Sequence, residues 1–390
     1  MLDEPLPDHF RAFAAVVERD GGKTYPAICR GVADDPEVLS LLDVAPVAQR
    51  RPLLLLASVH FLLLSGSEHP LAAYYDTVAH LRGLPFDPPD ADITTVFTDF
   101  CRRHRAELEE LIGTRRTQTN EVGRCTALLP GLCHVASLYG WAEPVSLLDL
   151  GTSAGLNLLF DDYAYTYRAQ EGGAVLRAGV ADSAVALECS SRPGLDELPE
   201  LRPPTMATRV GLDLSPVDPR SNVEARWLLA CQWPDNPVRF GRLRAALDNV
   251  RADPDPPRLV QGDMVTDVPA IASTIRDTGP LVVFHSWVAA YLDEDEQRAL
   301  AAAVQGLGRE RRLHYLYCES PFETPGLPTP PPPVPRDGPD LVTALVHVGP
   351  GAEPERLADT HPHGYWIRWW PTLPDPTAHR AAPARARPRR

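Results

Sequence analysis

From residue 1 to about residue 140 the apolar positions recur three and four apart, the period of helices with one buried face. Phe10, Phe13, Val16 and Val17 carry this spacing, and so do Leu71, Tyr74, Tyr75 and Val78. Leu53 to Leu64 is apolar almost throughout; it is too short to span a bilayer and carries His60, so it predicts a buried helix. Loops are expected at Gly21-Gly22 and over 83–92, a stretch that holds three prolines. A further helix is expected from Asn120 to Tyr139, ending at Gly140.

The pattern then changes. Val145 to Leu150 is a short apolar run of the kind found in buried parallel strands. Arg209–Leu214, Leu259–Gln261, Leu281–Phe284 and Leu313–Cys318 are further strand candidates. Helical stretches alternate with them: Leu156–Tyr163, Val223–Gln232, Arg242–Arg251, Pro269–Arg276 and Glu294–Leu307. Such alternation predicts an α/β fold with a mostly parallel sheet. Residues 164–208 break it with β-like pieces, read as an inserted hairpin. Residues 321–339 are rich in proline and predict an irregular loop. Leu341–Val348 and Tyr365–Trp370 follow as two closing strands, and a Pro/Ala/Arg-rich tail from 374 to 390 is expected to be disordered. The expected organisation is a helical region over 1–140, a sheet domain over 141–373 with a β insertion at 164–208, and the tail.

Charge narrows the partners. A net charge of −14 argues against a nucleic-acid partner, since a phosphate backbone selects a basic surface. The N-terminus is acidic and proline-interrupted, unlike a signal peptide. Seven cysteines, an odd number with no C-x-x-C pair, argue for a reduced cytoplasmic protein with no zinc or disulfide framework. The expected partner is a small molecule, with neither membrane nor nucleic acid involved.

The main chemical signal is LLDLGTSAGLN, residues 147–157, where a strand ending in Asp149 runs into Gly151-x-Ser153-x-Gly155. Small residues there let the backbone turn sharply and approach a ligand, and a following helix N-terminus offers N–H groups. Asp213 ends the second strand, where an acid accepts ribose hydroxyls; Asp263 ends the third, where a carboxylate meets an adenine amino group. Each of these aspartates has an alternative reading as a helix N-cap. Asn120, Glu121 and Arg124 open the helix before the first strand; they serve either as cap and i, i+3 pair or as ligand groups near the helix N-terminus. Asn157, Asp161 and Tyr163 lie just after the loop. His285, at the end of the fourth strand, is a candidate general base or a structural histidine, with Tyr291 and Glu319 as further candidates beyond strand ends. Trp227, Trp233, Trp366, Trp369 and Trp370 are read as core.

In order, LLDLGTSAG, VGLDLSP, LVQGD, LVVFHS and LHYLYCES resemble the nucleotide-binding motifs of class I S-adenosylmethionine-dependent methyltransferases. RTQTNEVGRCTALLPGL, GTSAGLNLLFDDYAY, GLDLSPVD and RWLLACQWPD resemble more closely a bacterial family known as domain of unknown function 2332. The resemblance implies a Rossmann-like methyltransferase-type sheet and S-adenosylmethionine as cofactor. Together with the positions read above, this gives an expected cofactor site of Asn120, Glu121, Arg124, Asp149, Gly151, Ser153, Gly155, Asn157, Asp213 and Asp263, with His285 and Tyr291 toward the substrate. Three departures stand out: Ser153 at the usual second glycine, some sixty residues between Asp149 and Asp213, and a Pro-rich loop where a helix is usual.

Two rival readings remain. GTSAG also satisfies G-x-S-x-G, the nucleophile elbow of serine hydrolases, with Ser153 as nucleophile and Asp263 plus a histidine among 285, 347, 361 and 363. Against this, only helices precede the motif. The other rival is a non-catalytic protein that binds a nucleotide on the same sheet.

Overall fold

A computed structural model describes residues 5–334 and 342–370. One mixed sheet of eleven strands organises them: β1 (Val145–Leu150), β2 (Ala164–Ala169), β3 (Val175–Gly179), β4 (Ala186–Ser191), β5 (Met206–Asp213), β6 (Arg258–Gln261), β7 (Leu281–Ser286), β8 (Leu313–Glu319), β9 (Thr343–Val348), β10 (Glu355–Thr360) and β11 (Trp366–Trp369). Their order is β3-β2-β4-β11-β10-β9-β8-β7-β1-β5-β6. The stretch β8-β7-β1-β5-β6 is wholly parallel. Its inner strands are buried on both faces, and every residue of β1 and β8 is inside, while the edge strand β6 has no buried residue.

The sheet is a middle layer. On one face the helix Cys125–Ser137 and the helix Pro237–Ala252 pack Leu128, Leu132, Leu243 and Leu247 against Leu147, Phe284 and Leu316. On the other, the helices Val268–Ser273 and Glu294–Leu307 cover Leu148, Val283 and Tyr315. Asp293 and Glu296 start the last of these with reciprocal side-chain caps.

The N-terminal helices, among them Leu6–Arg19, Thr24–Val32, Pro52–Leu64 and Ile93–Arg103, share a second core. The apolar helix Pro52–Leu64 lies at its centre, as a helix apolar on every side must. That core is closed by Trp227 and Ala230 from the helix Asn222–Ala230 of the sheet region and by Cys231 at its C-cap. His60 joins the two, bonding Ala230 O and Thr77 Oγ1 at 3.1 and 3.0 Å. No helix among the described residues is long and apolar enough to cross a membrane. All seven cysteines are buried and unpaired; burial pushes Cys29, Cys133, Cys189 and Cys231 up to about 12, which keeps them as unreactive thiols.

Three expectations are corrected. The segment after the glycine loop is a seven-residue 3-10 helix, Leu156–Asp162, with Leu159 off helical geometry, so no α-helix N-terminus faces the loop. Residues 164–208 do contain the β2–β3 hairpin, but with β4 they extend the same sheet at its far edge, where β4 pairs with β11. The closing strands are three rather than two, because β10 lies between β9 and β11. Residues 321–334 hold no strand or helix. The tail from 374 and residues 335–341 fall outside the described residues.

Candidate functional site

In chain order the parallel strands β1, β5 and β6 run one way from β1, and β7 and β8 run the other. Adjacent crossovers therefore leave β1 and β7 on opposite faces. The switch point beyond their C-terminal ends is where doubly wound sheets bind ligands, in a crevice between the two crossovers. The loop after β1 lies in this crevice. Gly151, Ser153 and Gly155 all have left-handed φ, at 71°, 53° and 73°. A Cβ on Gly151 would meet the Val288 side chain at 2.3 Å, so only glycine fits there. Ser153 carries the strain of a non-glycine residue at positive φ, as does Trp287 at 57° across the crevice.

Around this loop the rim is polar. Asp149 is buried, with its carboxyl accepting from Thr152 Oγ1 at 2.8 Å. Burial pushes its pKa up to about 8, the Thr152 hydroxyl opposes that, and the Asp213 charge adds to it. Asp213 braces the loop: one oxygen accepts from Ser153 N and the other from Ser215 N, each at 2.8 Å. Asn120 Nδ2 donates to Thr152 O at 3.1 Å. Arg124 donates from Nε to Pro362 O and from NH1 to Ser286 O, both at 3.0 Å, and lies over the Trp287 ring. Burial lowers its pKa from the ordinary arginine value.

Four buried polar atoms on this rim have no hydrogen-bond partner among the described residues: Asn120 Oδ1, Ser286 Oγ, Trp287 Nε1 and Glu319 Oε2. Buried polar atoms are normally paired, so a group of four at one crevice points to a ligand or ordered water there.

Not every predicted residue joins the rim. Asp263 is turned into its own loop, with Oδ1 accepting from Val265 N and Thr266 N at 2.6 and 3.3 Å; it closes a turn and does not cap the helix that follows, whose N-cap is Asp267. Asn157 is buried and accepts from Cys125 Sγ. His285 is fully enclosed, with Nδ1 2.7 Å from Glu319 Oε1 and Nε2 2.7 Å from Tyr315 OH. Neither nitrogen faces the crevice, so in place of a substrate-facing base His285 orients Glu319. Tyr291 stands on an outer turn and is 78% exposed.

Glu121 caps the turn Val122–Arg124 through Gly123 N. The expected pair with Arg124 gives way to ion pairs with Arg239 and Arg242, with His363 Nδ1 3.5 Å away. Burial pushes the Glu121 carboxyl upward, but Arg239, His363 and Arg242 outweigh it and hold the carboxyl well below the usual range. Glu121 is therefore a structural anchor beneath Asn120 and Arg124.

Gln118 and Trp287 were not singled out by the sequence reading, and Ser286 was noted only as following His285 at the strand end. Gln118 spans the loop mouth: Nε2 donates to Ser215 O at 2.6 Å, and Oε1 accepts from Ser153 Oγ at 3.1 Å. Arg239 and Arg242 had one available signal, their i, i+3 spacing on one helix face.

A family model described as an uncharacterized protein conserved in bacteria, domain of unknown function 2332, matches residues 7–369. The chain belongs to this family. Comparison with curated proteins finds no match. In this DUF2332 chain the matched region spans the N-terminal helices as well as every strand of the sheet. The covering segment with Gln118, Asn120 and Arg124 therefore lies inside the matched region together with the loop it covers.

Proposed function

We propose that this crevice binds a small zwitterionic nucleoside of the S-adenosylmethionine class, and that the protein transfers its methyl group to a small polar acceptor. The observation that carries the reading is the set of partnerless atoms of Asn120, Ser286, Trp287 and Glu319 beside the strained loop at the sheet's point of reversal. The strand order agrees with it, since β6-β5-β1-β7-β8 is the 3-2-1-4-5 order of dinucleotide-binding sheets.

The donor set suits a zwitterion attached to a ribose. Arg124 would take an α-carboxylate, and Glu319 and Asp149 an ammonium. Asp213 keeps a further lone pair on each oxygen for ribose hydroxyls while it braces Ser153 and Ser215. When bound, S-adenosylmethionine supplies a methyl group that is already electrophilic. What remains for the protein is to align the acceptor and exclude water. The Gln118 segment and the Trp287 turn stand at the mouth for that task. A surface cleft of about 250 Å³ beyond Ala154, bordered by Pro216, Arg220, Pro257 and Leu259, is smaller than typical ligand pockets and is lined by none of the rim groups.

The hydrolase reading finds no support in the geometry. The Ser153 hydroxyl donates to Gln118, and the ring nitrogens of His285 are both engaged elsewhere.

Calorimetry with S-adenosylhomocysteine tests the proposal. Saturable binding is expected, and Asp213→Ala should weaken it at least about tenfold, the loss of a charge-assisted hydrogen bond of ~1.5–3 kcal/mol. Gln118→Ala should tighten binding several-fold, because the ligand no longer has to break two hydrogen bonds to enter. Absence of binding by the wild type at millimolar ligand would overturn the reading. Binding without label transfer from methyl-labelled S-adenosylmethionine to any acceptor in a metabolite extract would leave the non-catalytic binding protein.

A further inference from the structure

On β9 and β10, toward the end of the strands away from the crevice, lies a second polar cluster. His347 comes from the end of β9 and Glu355 from the start of β10, and the antiparallel register places them directly opposite each other. Cross-strand partners of this kind have Cβ atoms roughly 4.5–5.5 Å apart. The helix Cys125–Ser137 brings His134 over the same spot, its ring 5.3 Å from that of His347 and nearly perpendicular to it. One ligating atom from each of His134, His347 and Glu355 lies within 4.8 Å of the other two.

We propose that His134, His347 and Glu355 form a binding site for a divalent transition-metal ion, of which zinc is the best match. Two imidazoles and one carboxylate are a zinc donor set, and three protein ligands leave a position for water. Zinc bonds nitrogen and oxygen at about 2.0–2.2 Å, so the three groups need to close in by less than an ångström each. The two strands hold two of the ligands on rigid backbone. His134 and Glu355 are only partly buried, which leaves a path for the ion from solvent.

The surroundings strengthen the assignment. His347 Nε2 lies 2.8 Å from His314 Nδ1, and His314 Nε2 lies 2.9 Å from the Tyr139 hydroxyl. A metal-binding histidine uses one ring nitrogen for the ion and fixes its ring through the other. The Tyr139–His314–His347 chain is such an outer support, running from the C-terminal end of the helix through the start of β8. The site would pin this helix to the antiparallel pair β9–β10 in the middle of the sheet. Its metal has no part in the chemistry proposed for the crevice, and its test is independent of ligand binding there.

The test uses the full-length untagged protein, stripped with chelator and titrated with zinc chloride by calorimetry and with cobalt chloride by visible absorption. One ion per chain is expected, with a four-coordinate cobalt band and a higher melting temperature. His134→Gln and Glu355→Gln are partly exposed positions that should fold; each should weaken binding by about a hundredfold or more. His314→Gln, acting through His347, should weaken it about 10–100-fold. No stoichiometric binding by the wild type would overturn the proposal. So would binding that persists unchanged in His134→Gln and Glu355→Gln, since the ion would then sit elsewhere.

Discussion

Glu121→Ala is expected to destabilise the protein by about 3–5 kcal/mol, because it leaves Arg239 and Arg242 as unpaired, largely buried charges. Glu121 is itself 2% exposed and receives those two guanidiniums, the Gly123 N–H and, at 3.5 Å, His363. It thereby ties the helix Pro237–Ala252 to the turn before β11, where Gly364 packs so closely that a Cβ there would lie 2.0 Å from Gly123 O. Urea denaturation read by fluorescence measures the loss. Glu121→Gln keeps the shape but not the charge, and adds a test by pH. The folded carboxyl titrates below its ordinary 4.5, so its stabilisation is present above that pH and is lost as pH falls. The acid side of the stability profile should be shallower in Glu121→Gln. A wild-type loss under 1 kcal/mol on Glu121→Ala would show that the arginines find other partners.

Asp149→Asn is expected to act with the opposite sign. The Asp149 carboxyl is raised from 3.8 to about 8 in the fold, so the unfolded chain gives up its proton first. Stability from this group is greatest at acid pH and declines as pH rises between those two values. At pH 8 Asp149→Asn removes that cost while still accepting from Thr152 Oγ1. A gain on the order of 5 kcal/mol is expected there, shrinking toward pH 4. Thermal unfolding of both proteins across pH 4–8 decides it; parallel profiles would show that Asp149 is already ionised in the fold. The same carboxyl bears on the crevice. An ammonium-bearing ligand should pull its proton off and bind more tightly above pH 8 than at pH 6, and Asp149→Asn should lose that difference.

Much of the sheet was legible along the chain because it is written in local pattern. The apolar run of β1, its boundaries included, follows from burial on both faces. The helix Glu294–Leu307 is set by its period and by the Asp293–Glu296 caps, all within a few residues. The loop 151–155 could be placed because glycine is needed where φ turns positive. Strand β10 was missed because ERLADT reads as a polar loop. In the fold Arg356 donates to Asp359 Oδ1 at 2.7 Å and to Pro330 O at 2.9 Å, and these partners let a charged segment occupy an interior position.

The candidate site divides along the same line. The sequence alone determined that small residues and an acid would end β1 and that a second acid would end β5, because strand ends and turns are local events. It did not determine which acids face the crevice. Asp213 braces the loop while Asp263 folds into its own turn, a difference set by which backbone N–H groups each one meets. The partners of Glu121 lie at 239, 242 and 363, and Gln118 meets 153 and 215; only packing brings them together. The placement of β4 beside β11 likewise depends on a free sheet edge formed more than 170 residues later. Propensity and periodicity act over a few residues, whereas the pairing of a buried charge or a sheet edge is chosen by the whole chain once it has collapsed.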